Sequence, residues 1–575
     1  MFLRKNFSKK TGRTQLAIVQ GYRDVDKKIK HKTIKSVGYL DVLEKEYDDP
    51  IAHFTAIAKT MDSERKTTEK IELVLDLKKK IKPEDEKRKN YGYIVFSKIY
   101  YELELNRFLN NARRHENFKF NSEAIMRLIV FSRLLQPGSK RKAYLNKDQF
   151  FDKFDFTIDD IYDALTHFNK IAEDLQRHLH QKIVEQYNRK TNLVYYDVTN
   201  FYFEIDKPDD FRKKGYSKEG RKSPIVQMGL LMDTNAMPIS YKMFPGNTHD
   251  SQTLMPAVSE IKKRYNVDRL VTVADKGLNS GDNIAYALAL GDGYIYSKSV
   301  RGANKEFKDW VLKEDDYRSR DGKNKIKSRV IPNAEIKITV GQNGKNKKKK
   351  TIKIEQKQVI VYSEKYANRA RFLREEAIKK AQDLIANPAK YQKACDYGAS
   401  GYIKNLKIDK ETGEIMNIAD ELILDEAKIL EEEKFDGYYA IITSELDDTD
   451  EHIAETYKGL WRIEESFKIS KSILGSRPVN VQTKEHINAH FLSCFISLLI
   501  SRIIEIRLEK KYSISRIVET LNKVACSPLE DNIWHFNYSD EITSHISSTF
   551  EIDFEQKYMT KQEIKNNFAK GKKRK

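Results

Sequence analysis

Three carboxylates stand out by type and spacing. Asp197 in VYYDVTN and Asp275 in VTVADKG each follow an apolar, strand-like run and meet a polar or Gly-containing turn. A charge at the end of a buried strand is costly unless a cation or hydrogen-bond donors compensate it, so both positions are candidates for chemistry. A turn-forming aspartate that caps the next segment has the same local sequence. The third is Glu464, in YKGLWRIEESFKISKS, where Tyr457, Glu464 and Lys471 are spaced by seven and seven residues. On an α-helix, seven steps return a side chain to within about 20° of its start. The spacing predicts one face carrying all three, with Lys468 close to it and Glu465 turned about 100° away. An exposed helix in which Glu464 merely pairs with Lys468 meets the same spacing. Two strand-end aspartates and a helical glutamate are the hard oxygen ligands of a two-Mg²⁺ site, with Mn²⁺ as a substitute. Ions about 4 Å apart activate water or a 3′-hydroxyl for in-line attack on a phosphodiester. Zn²⁺ is not expected, because the sequence has neither a Cys pair nor a HExxH motif.

The elements that must position these acids are legible in outline. Residues 1–45 read as a β-hairpin, TQLAIVQGYR against KIKHKTIKSVGYLD, around a polar turn at Asp24–Lys28. A charged helical connector covers 46–90, and a helical domain covers 91–190. In the latter, Ser122 is the expected cap of a helix that Gln136-Pro137-Gly138 stops. From 191 to 300 the period changes. LVYYDVTNFYFE, PIVQMGLLMD and PISYKMFPG are three strands, followed by a helix, the strand LVTVADKG, a second helix and the strand GYIYSKSV. That order predicts a mixed α/β sheet. Residues 301–435 read as an insertion with its own strands and a charged helix at 368–385. DGYYAIITS and a continuous helix over 453–474 resume the sheet domain at 436–480, and 481–575 is helical with a basic tail.

Charge names the substrate class. The chain has 105 Lys plus Arg against 85 Asp plus Glu, a net +20 over 575 residues. The excess is segregated: residues 1–40 hold 11 basic and 2 acidic residues, 301–350 hold 16 and 7, and 557–575 hold 8 and 1, whereas 411–450 hold 14 acidic against 2 basic. Separate basic surfaces suit a polyanion. The three cysteines, Cys395, Cys494 and Cys526, are far apart, which excludes a disulfide framework and fits a reducing cytoplasm. The stretch MFLRKNFSKK lacks the apolar run of a signal peptide, so none is expected. The most apolar run, Phe491–Ile500, meets charges too soon to span a bilayer, so no membrane role is expected.

Taken together and in order, DVTNFYF, GNTHDSQTL, VADKG and YKGLWRIEESFKISKS resemble the DDE transposases of bacterial insertion sequences, in the group marked by a YREK signature. The similarity extends to IKSVGYLD near the N-terminus and to RLLQPGSKRKA in the helical domain, for which it implies DNA binding or dimerisation over 91–190. The resemblance implies an RNase H-like fold, often with a mostly β insertion before the helix of the third acid. It also implies Asp197, Asp275 and Glu464 as metal-binding catalytic residues, and Tyr457 and Lys471 as contacts to DNA phosphates. One position departs from the pattern: Leu460 stands where the signature has arginine. Arg462 lies about 140° from Tyr457 and cannot take that helical position, so either another cation, Lys468 or Lys276, replaces the contact or end-processing is weakened; Lys468, Lys276 and Arg462 are the further expected DNA contacts. His249 in GNTHDSQ and Trp310 in FKDWVL are further candidates. An ordinary loop histidine and a core tryptophan are the competing readings.

The function expected from this resemblance is a bacterial, nucleoid-associated DNA transposase. It would bind terminal inverted repeats, cleave with two metal ions, transfer the 3′-hydroxyl end to target DNA and act as a homodimer on paired ends. The alternatives are a DNA-binding protein that has lost the chemistry and a metal-dependent nuclease without strand transfer.

Overall fold

The computed structural model describes all residues except Lys10, 24–28, 69–77, Lys79, Glu84, Asp206, 216–222, Asn266, Arg320, 342–347, 388–396, 407–421 and 573–575. The expected turn at Asp24–Lys28, Cys395, residues 411–421 of the acidic stretch and the end of the basic tail lie outside the described residues. Two units are present, Met1–Pro83 and Glu84–Lys575.

In the first unit, β1 (Phe2–Ser8), β2 (Arg13–Arg23) and β3 (Ile29–Tyr39) form an antiparallel sheet in that order, followed by α1 (Leu40–Leu43) and α2 (Pro50–Thr68). The expected hairpin, β2 and β3, thus belongs to a three-stranded sheet in which β2 is central. β1 was hidden by its charge: most of its residues are exposed, and only its pairing with β2 from Phe2↔Val19 to Ser8↔Arg13 makes it a strand. Leu16, Leu43 and Phe54 form the small core.

The second unit begins with the short strand β4 (Lys89–Asn90) and the helices α3 (Ile94–Glu102), α4 (Leu105–Ala112), α5 (Ser122–Leu135), α6 (Lys140–Leu145) and α7 (Ile158–Tyr187). α5 stops before Pro137 as expected, but its cap is Asn121, whose side chain accepts from the Ala124 N–H at 3.2 Å; Ser122 is the first helical residue and is buried.

Next come β5 (Leu193–Tyr202), β6 (Ile225–Met232), β7 (Pro238–Pro245), α8 (Leu254–Tyr265), β8 (Val271–Ala274), α9 (Gly281–Ala289) and β9 (Gly293–Lys298). They run β7-β6-β5-β8-β9 across the sheet. β5, β6 and β7 pair antiparallel, and β8 and β9 join parallel to β5. This is the five-stranded core of an RNase H-like domain. The parallel strands are short and apolar because both faces are covered. α8 and α9 pack on the face formed by Val194, Tyr196 and Val198. The opposite face, formed by Tyr195, Phe201, Val271 and Val273, joins the main core of the helical regions.

Residues 301–435 contribute α10 (Lys305–Leu312), β10 (Arg318–Ser319), β11 (Asn324–Val340), β12 (Lys348–Ser363), α11 (Glu364–Ala386), α12 (Tyr397–Ser400), β13 (Ile403–Lys404), β14 (Ile423–Leu424) and α13 (Glu426–Glu433). β11 and β12 form a long ribbon, and β12 pairs with β15 (Tyr438–Thr443), which pairs with β9. The ribbon therefore extends the catalytic-domain sheet to nine strands.

After β15 the chain forms α14 (Asp450–Lys458), α15 (Trp461–Lys468) and a π-helical turn at Ile469–Ile473. α16 (Lys484–Arg507), α17 (Ile514–Lys523), β16 (Ala525–Pro528), β17 (Ile533–Phe536), α18 (Glu541–Phe550), β18 (Tyr558–Thr560) and α19 (Lys561–Lys572) complete it. The C-terminal region is thus not wholly helical: β16, β17 and β18 form a small sheet with β4. α16 is long and apolar enough to cross a membrane, but 94% of its most apolar window is buried in the protein. Its serines are satisfied internally, Ser497 and Ser501 each donating to the carbonyl four residues earlier at 2.8 Å.

Candidate active site

Asp197 does not end its strand. It lies midway along β5, because the residues after it, Val198 to Tyr202, continue in register with β6. What ends near it is the neighbour. β5 and β8 are registered through Tyr195↔Val273, so Asp197 and Asp275, each two residues further on, are level and on the same face. Asp275 keeps extended backbone geometry at the start of a single 3₁₀ turn, Lys276–Leu278.

Sequence reasoning missed the next group in that row. β8 and β9 are registered through Ala274↔Tyr296, so Ser297 lies beside Asp275. Its hydroxyl donates to Asp275 Oδ1 at 2.9 Å, and its carbonyl accepts from the Asn279 side chain at 2.8 Å. A serine directly after the apolar run GYIY was the available signal. On the far side, Asp197 Oδ1 accepts from the Val198 N–H at 2.7 Å.

α14 and α15 cover this face. Tyr195 donates to the Thr456 carbonyl at 3.0 Å, and a Cβ on Gly459 would fall 2.1 Å from the Tyr195 hydroxyl oxygen. Only glycine allows the helix end to approach so closely. The chain then tightens: the N–H groups of Leu460, Arg462 and Ile463 bond three residues back, to Tyr457, Gly459 and Leu460. Such turns advance about 120° per residue rather than 100°. The expected continuous helix is therefore broken at Gly459–Leu460, and the tighter turns place Glu464 about 40° from Tyr457 instead of about 20°. The π-helical turn around Lys471 shifts the phase again.

The consequences differ for each residue. Tyr457 turns inward, its hydroxyl 3.4 Å from Asp275 Oδ1, and burial, reinforced by the nearby Asp275, raises its phenol well above the ordinary range. Glu464 is exposed and lines a cleft of about 630 Å³ with Arg301, Tyr366, Arg369, Arg374 and Lys428. Glu465 is tied to Arg502 of α16 at 2.8 Å, and Arg502 also holds Glu505 at 2.6 Å. Of the two adjacent glutamates, Glu464 is thus the one that faces the cleft. Leu460 is buried in the main core. Arg462 donates to the Thr234 carbonyl in the turn between β6 and β7, away from that cleft. Lys471 lies over the Phe201 ring at 5.3 Å from its centroid, while Lys468 and Lys276 are exposed.

Behind this segment sits a buried basic cluster from the RLLQPGSKRKA region. Arg133 donates to the carbonyls of Leu474 and Gly475 at 2.9 and 3.0 Å. Lys140 Nζ is 3.2 Å from His490 Nδ1, and His490 Nε2 is 3.1 Å from the Ser476 carbonyl oxygen. Burial, with Arg133 alongside, lowers the Lys140 ammonium to about 7, and burial holds His490 neutral. The cluster fixes the exit from the Glu464 segment.

His249 caps its own turn, accepting from the Ser251 N–H, while the neighbouring Asp250 approaches Gly277 beside Asp275. Trp310 is half-buried, with the Arg329 guanidinium 4.0 Å from its ring centroid. Among the described residues, no three acidic, histidine or cysteine side chains converge closely enough to hold a metal ion. Asp197 and Asp275 are brought together; Glu464 is not closed in on them. In kind, the donor set fits a hard divalent cation, because every candidate ligand is a carboxylate oxygen.

Residues 188–500 match the family model described as a transposase DDE domain, and residues 3–71 match that of the IS1634 family transposase N-terminal domain. Among solved structures, the chain is similar to the piggyBac transposase in a synaptic complex with hairpin DNA, at 9% identity over 84% of each chain with a TM-score of 0.30. It is also similar to the Mos1 transposase in a paired-end complex with the left transposon end, at 10% identity over 41% of this chain and 66% of that one, with a TM-score of 0.14. No curated protein matches the sequence. The DDE-domain model spans more than half of the 575 residues, and the chain belongs to the DDE transposases.

Proposed function

We propose that this transposase cleaves DNA at the terminal inverted repeats of its element and joins the freed 3′-hydroxyl to target DNA. The observation that carries this reading is the row Asp197, Asp275 and Ser297 on three adjacent strands, beneath the helices that bear Tyr457 and Glu464. Asp197, Asp275 and Glu464 would hold divalent metal, Mg²⁺ with Mn²⁺ as a substitute. When bound, the metal supplies charge stabilisation at the phosphodiester and an acidified attacking hydroxyl.

The chain's own groups have separate tasks. Ser297 and Tyr457 hold the Asp275 carboxylate in one orientation, and Arg502 removes Glu465 from competition with Glu464. Lys276, Lys468 and Lys471 lie on the segments that carry the acids and attract the phosphate backbone. The basic N-terminal sheet and α19 offer further phosphate contacts that fix register on the duplex. Two ends must be held for joining, so the acting species is a homodimer on DNA.

The test is incubation of the full chain with Mg²⁺ or Mn²⁺ and a duplex carrying the repeats that flank its coding region. Joined products support transposition, cleavage alone identifies a nuclease, and binding without cleavage identifies an inactive module. Asp197→Ala, Asp275→Ala and Glu464→Ala should each reduce cleavage by roughly a thousandfold or more, since each removes a ligand from charge stabilisation worth several kcal/mol. Undiminished cleavage in all three variants would disprove the assignment.

A further inference from the structure

α15 contributes Glu464 to the cleft, and Tyr402, Lys428 and Glu432 line a second side, where Glu432 accepts from the Tyr402 hydroxyl at 2.8 Å. The remaining side is a stripe of α11 formed by Tyr366, Arg369, Ala370, Leu373 and Ala377, residues at helical spacing. Tyr366 and Leu373 are exposed for large apolar side chains, at 48% and 56%. The stripe therefore faces open space beside a carboxylate.

The cations in the cleft are not equivalent. Arg301 and Arg374 both bind the buried Asp436, and Arg374 also approaches Glu433. Lys428 donates to the Gly401 carbonyl at 2.6 Å. Arg369 is exposed and makes no ion pair or hydrogen bond to the described residues. The helices carrying Tyr457 and Glu464 offer the cleft no arginine, since Leu460 is buried and Arg462 is bound at Thr234. A phosphodiester approaching Glu464 meets repulsion unless a cation from the α11 side offsets it. An arginine fork with a phosphate supplies that offset, and an exposed apolar stripe suits the sugar and base edges of one strand.

We propose that the DNA strand entering the active site runs between α11 and α15, and that Arg369 grips its backbone phosphate. This rests on the reading of Glu464 as a catalytic carboxylate and gives α11 a direct part in holding substrate. Arg371 provides an internal control. It is exposed on the same helix but lies about 200° around it from Arg369.

The experiment measures binding of the full chain, and of its Arg369→Ala, Arg369→Lys and Arg371→Ala variants, to the flanking-repeat duplex over a range of NaCl, together with cleavage. Arg369→Ala should weaken binding and lower the slope of log affinity against log salt by about 1, the loss of one phosphate contact. Arg369→Lys should keep most of the slope but cleave more slowly, because an ammonium lacks the planar fork. Arg371→Ala should match wild type. An unchanged slope in Arg369→Ala, or an equal loss in Arg371→Ala, overturns the proposal. If the wild type binds without cleaving and Arg369→Ala still lowers the slope, the cleft assignment stands while the proposed chemistry fails. If the wild type cleaves and Arg369→Ala behaves identically, the cleft assignment alone fails.

Discussion

Replacing Lys140 by methionine should stabilise the protein at neutral pH and lose that advantage as pH rises. Lys140 is 3% exposed and faces Arg133, His490 and Cys494, with no carboxylate among them. Its ammonium is lowered to about 7 from an ordinary 10.5. Between those values the unfolded chain holds a proton that the folded chain has released, so wild-type stability rises with pH by about 1.4 kcal/mol per unit. The full penalty, about 5 kcal/mol, is present below pH 7 and is gone above about 10.5. Methionine has a similar unbranched shape and carries no charge, and Arg133, 3.4 Å from His490 Nδ1, remains as a donor to that ring. The assay is urea denaturation followed by circular dichroism for both proteins at pH 7.5, 8.5 and 9.5. The stability of wild type relative to Lys140→Met should rise by about 3 kcal/mol across that range, most other titrations cancelling in the difference. Parallel stability curves for the two proteins would show that Lys140 keeps its charge in the fold, and the reasoning would be refuted.

Tyr457→Phe removes one of two hydroxyls near Asp275 but leaves Ser297, so cleavage should fall by no more than about tenfold, against the near-total loss in Asp275→Ala; single-turnover cleavage of the flanking-repeat duplex measures both. Gly459→Ala drives a Cβ into the Tyr195 ring, so thermal unfolding should show a loss of about 1–3 kcal/mol, and cleavage should fall because Glu464 is carried beyond that contact.

Much of the sheet was legible because its strands are apolar and the helices between them have their own period. The five runs from Leu193 to Lys298 and the covering helices follow the sequence pattern closely. Three features were not legible, each for a physical reason. β1 has no buried face of its own and exists through pairing with β2. The extent of β5 beyond Asp197 depends on β6, which continues after β8 has ended. The break between Tyr457 and Glu464 depends on how closely Gly459 must approach Tyr195, a contact between residues 264 positions apart, whereas the heptad spacing records only local geometry. Ser297 was missed for a related reason: its importance comes from register with Asp275, and strand spacing alone does not reveal which strands are neighbours.

The ribbon of β11 and β12 also has a mechanical consequence. β12 is joined to β15 by the registered pairs from Lys357↔Thr443 to Tyr362↔Tyr438, and β15 is joined to β9, one strand from Asp275. A pull along β12 acts perpendicular to those hydrogen bonds and loads them all in shear, instead of peeling them apart one at a time. The far half of the ribbon is pinned separately, where Thr339 donates to Asp282 at the start of α9. A force applied to this appendage is therefore borne by the same strands that align the aspartates, so the ribbon acts as a stiff handle on the catalytic sheet.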